Sequence, residues 1–152
     1  MLASAFATVA LLPGLLSAPV ADLKTQTSLP ILLPDAIVTE IDPLYPSAAG
    51  SAREYSIGLG AVEDCGGATA CFVADFSARK GGKARGPRKA TLAKGRKGRF
   101  KPLTCGASCS APSIEWKERG IVYRIAANVG TKRTERKLLV RMANQAIRRG
   151  PR

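Results

Sequence analysis

A chain of 152 residues has room for one domain, and with one Trp, four Phe and three Tyr its core must be built mainly from Leu, Ile, Val and Ala. The absence of histidine excludes a Ser-His-Asp triad, a Cys-His pair and any His-containing metal site within the chain, and with them most hydrolase chemistry. The net charge of +13 is unevenly placed: residues 1–78 hold two bases against eight acids, whereas residues 79–152 hold 22 bases against only Glu115, Glu118 and Glu135.

Residues 1–21 carry no charge, and the run from Leu2 to Leu12 is apolar or small until Pro13-Gly14 breaks it. This reads as the core of a signal peptide, with Ser17 to Ala21 as the small-residue cleavage region and Ala21 as the last residue removed. Two details fit poorly: no base precedes the apolar run, and Pro19 occupies the position where a small residue is preferred. The alternative is a retained anchor, although two prolines and a glycine interrupt the roughly 20 apolar residues that spanning requires.

Residues 22–53 are rich in Pro, Ser, Thr and Ala and read as an extended lead-in. Within them Leu29 to Pro34 is a short apolar piece bounded by prolines, suited to an edge strand or an extended segment lying on the core. The α+β domain is expected over 54–152. Tyr55, Ile57 and Leu59 alternate with polar or small residues, as do Phe72, Ala74 and Phe76 beyond the turn at Gly66-Gly67, which predicts a hairpin.

Residues 79–101 hold eleven bases, Arg79, Lys80, Lys83, Arg85, Arg88, Lys89, Lys94, Arg96, Lys97, Arg99 and Lys101, with five glycines and no acid. Such dense like charge predicts an exposed loop, and whether that loop orders is left open by the sequence. Ile114 and Trp116, then Ile121, Tyr123 and Ile125 across the Arg119-Gly120 turn, predict a second hairpin. Leu138, Leu139, Met142, Ala143, Ala146 and Ile147 share one face of a final helix, with Thr131 or Thr134 as its cap, Glu135 in its first turn and Gly150-Pro151 as its stop. The fold class that follows is α+β: a small antiparallel sheet of hairpins packed against a C-terminal amphipathic helix.

Cys65 and Cys71 enclose five residues and Cys105 and Cys109 enclose three. The short, small-residue loops favour disulfides Cys65–Cys71 and Cys105–Cys109, although four cysteines allow three connectivities. A four-cysteine zinc site is the rival, against which the first pair is too widely spaced; a redox pair would want C-x-x-C, which is absent.

The run Asp64-Cys65-Gly66-Gly67-Ala68-Thr69-Ala70-Cys71-Phe72, the pair Cys105 and Cys109, the hairpin residues Trp116, Gly120 and Tyr123, and the closing Met142-Ala143-Asn144-Gln145-Ala146-Ile147 resemble a group of exported bacterial small proteins whose activity is uncharacterised. The resemblance covers roughly residues 29–152. It implies an extracytoplasmic, disulfide-bonded domain and carries no site residues with it.

Two functional readings follow. One is a non-catalytic protein exported to the periplasm, cell envelope or medium, with no cofactor and no metal. The other is a polyanion-binding protein that uses the eleven bases of 79–101 against nucleic acid, an anionic polymer or a membrane surface. Phe100 is the only aromatic in that stretch, which leaves little for base stacking. An enzyme is not expected: Glu63, Asp64, Asp75, Glu115 and Glu118 could supply a carboxylate pair only if two of them converged.

Overall fold

The structure, a computed structural model, describes residues 7–152. Strand periodicity sets its centre. In β4 (Glu54–Gly60) Tyr55, Ile57 and Leu59 turn to one side and are buried. β5 (Phe72–Lys80) pairs with it so that Phe76 lies opposite Ile57 and Ala74 opposite Leu59. On its other flank β5 pairs with β11 (Ile121–Ala127), which places Ile125 beside Phe76 and Tyr123 beside Ala78. β11 returns from β10 (Ser113–Glu118) through Arg119 and Gly120, both at positive φ, the backbone that a tight two-residue hairpin requires. Trp116 and Tyr123 stack across this hairpin with ring centroids 5.6 Å apart and are both buried, as their apolar-face positions predict.

The sheet extends further than the sequence suggests. The expected loop 79–101 is corrected: β5 runs to Lys80, and the rest forms an ordered hairpin of β6 (Arg88–Thr91) and β7 (Lys97–Lys101), joined by a 3-10 turn at Ala93–Gly95. Charge density did not prevent pairing because the strands alternate. Ala90 and Gly98 face each other on the core side, beside buried Phe100, while Lys89 and Arg99 face each other on the opposite side. An edge strand rich in Lys and Arg is also protected against pairing with other chains.

The lead-in 22–53 is corrected in the same way. β3 (Tyr45–Gly50) forms the other edge of the sheet, where Pro46 is tolerated. The antiparallel order is β3-β4-β5-β11-β10-β7-β6. Leu29 to Pro34 belongs to no helix or strand and lies on the core; the Leu32 N–H donates to the Tyr55 hydroxyl (3.1 Å) and the Tyr123 hydroxyl donates to the Pro30 carbonyl (3.1 Å).

Before it comes a segment that sequence reading assigns to a leader. Thr8–Leu11 forms β1, paired with β2 (Ala36–Thr39); Leu12–Leu15 forms α1 and Ser17–Gln26 forms α2. Leu12, Leu16 and Leu23 are buried in the main core. α2 lies against edge strand β3, where Leu23 leaves no room for a side chain at Gly50: a Cβ there would meet its Cδ1 at 2.5 Å. The part of the apolar run before residue 7 lies outside the described residues.

α3 (Glu135–Arg149) covers the core face of β10 and β11, with Leu139, Met142, Ala143, Ala146 and Ile147 buried. Its start differs from expectation. Neither threonine hydroxyl caps a first-turn N–H; instead the Thr134 hydroxyl accepts the Thr131 N–H (2.8 Å), and the Glu135 N–H donates to the Thr131 carbonyl. Gly150, at φ 75°, ends the helix. The architecture is α+β, antiparallel sheets with a C-terminal helix on one face.

Candidate polyanion-binding surface

Residues that alternate with the core set project from the other face of the sheet. One row crosses six strands: Lys89, Arg99, Glu115, Arg124, Ser77 and Ser56 stand in register from β6 to β4. Glu115 is the acidic centre of this row and is 6% exposed. Both of its oxygens accept from the Arg79 guanidinium (3.3 and 3.2 Å), one also accepts the Arg85 backbone N–H (2.7 Å), and Arg124 Nε lies 3.9 Å away. Residues 81–87 therefore fold back over the sheet as a strap. Arg79 donates to the Lys83 carbonyl (2.9 Å) and Lys117 Nζ to the Gly82 carbonyl (2.8 Å), fixing it there.

The other two carboxylates of the basic half are also committed. Glu118 takes a 2.6 Å bond from Arg96 Nη2, and that bond holds the Arg96 guanidinium protonated above its ordinary range. Glu135 is buried and accepts the Leu103 N–H (3.2 Å).

The eleven predicted bases consequently divide. Arg79 and Arg96 are half-buried ion-pair partners, and Arg99 is half-buried in the Glu115 row. Lys80, Lys83, Arg85, Arg88, Lys89, Lys94, Lys97 and Lys101 are exposed, and among the described residues none of these eight side chains makes an ion pair.

Helix α3 adds bases that were not assigned to the site from sequence. Arg136 donates to the Lys89 carbonyl (2.8 Å) and Asn144 accepts the Ala93 N–H (2.7 Å), which lays the helix beside the β6–β7 hairpin. Lys137, Arg141 and Arg148 are exposed along its outer side. Their spacing on the polar face of a predictable helix is the signal that could have found them; placing them beside the hairpin required the fold.

The candidate carboxylates partly converge. Asp75 and Glu115 share Arg124, at 3.7 and 3.9 Å, and Asp75 also accepts from the Ser56 hydroxyl. Glu63 and Asp64 line the same 430 Å³ cleft as Asp75, beside the Cys65 loop. Glu118 lies apart, with Arg96. The Asp75 and Glu115 pair is bridged by a cation and hydrogen-bonded on both sides, an arrangement that neutralises charge rather than poising an acid against a base.

All four cysteines are bonded, Cys65–Cys71 closing the β4–β5 connection and Cys105–Cys109 closing the small hairpin of β8 (Thr104–Cys105) and β9 (Cys109–Ser110). No thiolate is left for zinc. Two disulfides are the pattern of an oxidising compartment. Among the described residues no helix is long and apolar enough to cross a membrane. Comparison with protein-family models, with curated proteins and with solved structures finds no match.

Proposed function

We propose that this is an exported, non-catalytic protein that binds polyanions through the basic surface of the β6–β7 hairpin, the 81–87 strap and the outer side of α3. One observation carries the reading: Glu115, Glu118 and Glu135, the only acids after residue 78, are each turned inward onto a donor, so the exposed bases around them face solvent uncompensated. A surface built only for solubility would intersperse both signs. Among the described residues that surface has no exposed aromatic, so charge rather than base identity is what it reads. Export is supported by the two disulfides.

The test is binding of fluorescently labelled long-chain polyphosphate across a salt series. For six or more phosphate contacts, affinity should fall by about three orders of magnitude between 50 and 200 mM salt. Replacing Arg88, Lys89, Lys97 and Lys101 by Gln should abolish the binding and flatten that dependence. Binding that survives both changes would overturn the proposal.

A further inference from the structure

The β1–β2 ribbon is two strands thick and turns apolar side chains outward. Ala10 opposite Ile37 faces the core, where Ile37 is buried. The alternate positions face away: Val9 stands opposite Val38 and Leu11 opposite Ala36, with Val9 62% and Leu11 71% exposed, and Ile41 lies just beyond β2, also exposed. Such a cluster of large apolar side chains on a water-facing ribbon marks a surface meant to be covered.

Its neighbour is the basic helix. Asp35, at the start of β2, donates its N–H to Gln145 (3.3 Å) and pairs with Arg149 (3.9 Å) near the end of α3. Thr39 and Ile41, at the other end of the ribbon, share a cleft with Thr131 and Leu138 at the beginning of α3. The ribbon therefore meets α3 at two points, one near each end of the helix. On the helix, Lys137, Arg141 and Arg148 form the outer ridge, and the one acid of α3, Glu135, is buried. Glu40 and Asp42 bound the far end of the ribbon.

From this juxtaposition we infer that the face formed by the β1–β2 ribbon and α3 docks on an anionic lipid bilayer, the ribbon's apolar side chains entering the headgroup boundary and the helix bases meeting lipid phosphates. The inference rests on the polyanion-binding reading and names its partner. A soluble polymer would satisfy the bases but give Val9, Leu11 and Val38 nothing to bury against, whereas a lipid interface takes both. The attachment lies on the membrane rather than crossing it.

Docking uses residues 7–26, and the fold holds them. The Leu12 N–H donates to the Asp35 carbonyl (2.9 Å), Leu12, Leu16 and Leu23 are buried, and Gln26 accepts the Gly50 N–H (3.0 Å). Cleavage after Ala21 would remove β1 and expose the core beneath it.

The experiment is flotation of the oxidised full-length chain with vesicles of phosphatidylglycerol and phosphatidylcholine, and with phosphatidylcholine alone. Polyphosphate binding and sedimentation velocity without lipid run in parallel. The wild type should float with the anionic vesicles only. Val9→Ser with Leu11→Ser should weaken that partition about tenfold while leaving polyphosphate binding unchanged, since the side chains are exposed and the fold does not need them. Lys137→Gln, Arg141→Gln and Arg148→Gln together should weaken it similarly.

Wild type that stays with the lipid-free fraction while still binding polyphosphate would overturn lipid docking alone. Serine variants that float like wild type would overturn it too, as would a wild-type dimer that the serine changes dissociate, which would make the ribbon a self-association face. Failure on both vesicles and polyphosphate would remove the proposed function as well.

Discussion

Arg79 and Glu115, 36 residues apart in sequence, meet on the outer face of the sheet with both guanidinium Nη atoms within 3.3 Å of the carboxylate. The same carboxylate takes the Arg85 N–H, so one buried acid anchors both a strand and the strap that crosses it. Glu115→Gln should lower stability by about 2 to 3 kcal/mol, because it removes the compensating charge and leaves partly desolvated donors behind. Urea denaturation would measure it. In a double-mutant cycle with Arg79→Gln the two losses should be clearly non-additive; simple additivity would show that the pair is uncoupled.

The N-terminal segment gives a second prediction. Leu23 is fully buried between α2 and β3. Leu23→Ala should destabilise the protein by about 3 kcal/mol, as expected for a buried leucine truncated to leave a cavity. A change below about 0.5 kcal/mol in thermal or chemical unfolding would mean that α2 does not belong to the cooperative core.

Two tyrosines set the alkaline limit. Burial pushes Tyr123 up to about 12 and Tyr55 further above its ordinary value. For an acid whose folded pKa is raised, the folded state holds its proton longer than the unfolded state, so stability is intact below about pH 10 and is lost progressively as pH rises toward 12. Tyrosinate absorbance at 295 nm should show the ionisation of these two phenols coinciding with loss of the near-ultraviolet circular dichroism. Tyr123→Phe, which also removes the bond to Pro30, should lower neutral-pH stability but flatten this alkaline decline.

The disulfides should be staples rather than determinants of the fold. Their loops are short, and in the chain-entropy model each contributes about 2 kcal/mol. Cys105→Ser with Cys109→Ser should shift the denaturation midpoint by that order while the far-ultraviolet spectrum stays unchanged, because β8 and β9 form a separate two-stranded hairpin outside the main sheet. Loss of the main sheet's signal in this variant would contradict that separation.

Much of the scaffold was legible in the sequence because its signals are local. The alternation of Tyr55, Ile57 and Leu59, the Arg119-Gly120 turn between two apolar strands, and the i, i+4, i+8 spacing of Leu138, Met142 and Ala146 each identify one element without reference to any other. The pairing of cysteines across short loops was local in the same way.

What only the tertiary structure decided involves partners far apart in the chain. Local charge counting made 79–101 an exposed loop, but Glu115, from another strand, neutralises Arg79 and fixes the strap, and Phe100 has Ile114 opposite it in the sheet. Composition reads residues 1–21 as a leader, and only the fold shows that Leu12 and Leu16 have a buried place in the main core, which no neighbouring residue announces. The sequence by itself determined the two central hairpins, the final helix, the close spacing of the cysteines and the polarity of its two halves. The order of the strands, the burial of the few acids and the exposure of the many bases were settled by long-range packing, because whether a charge is paired or left facing water depends on which distant side chain the fold brings opposite it.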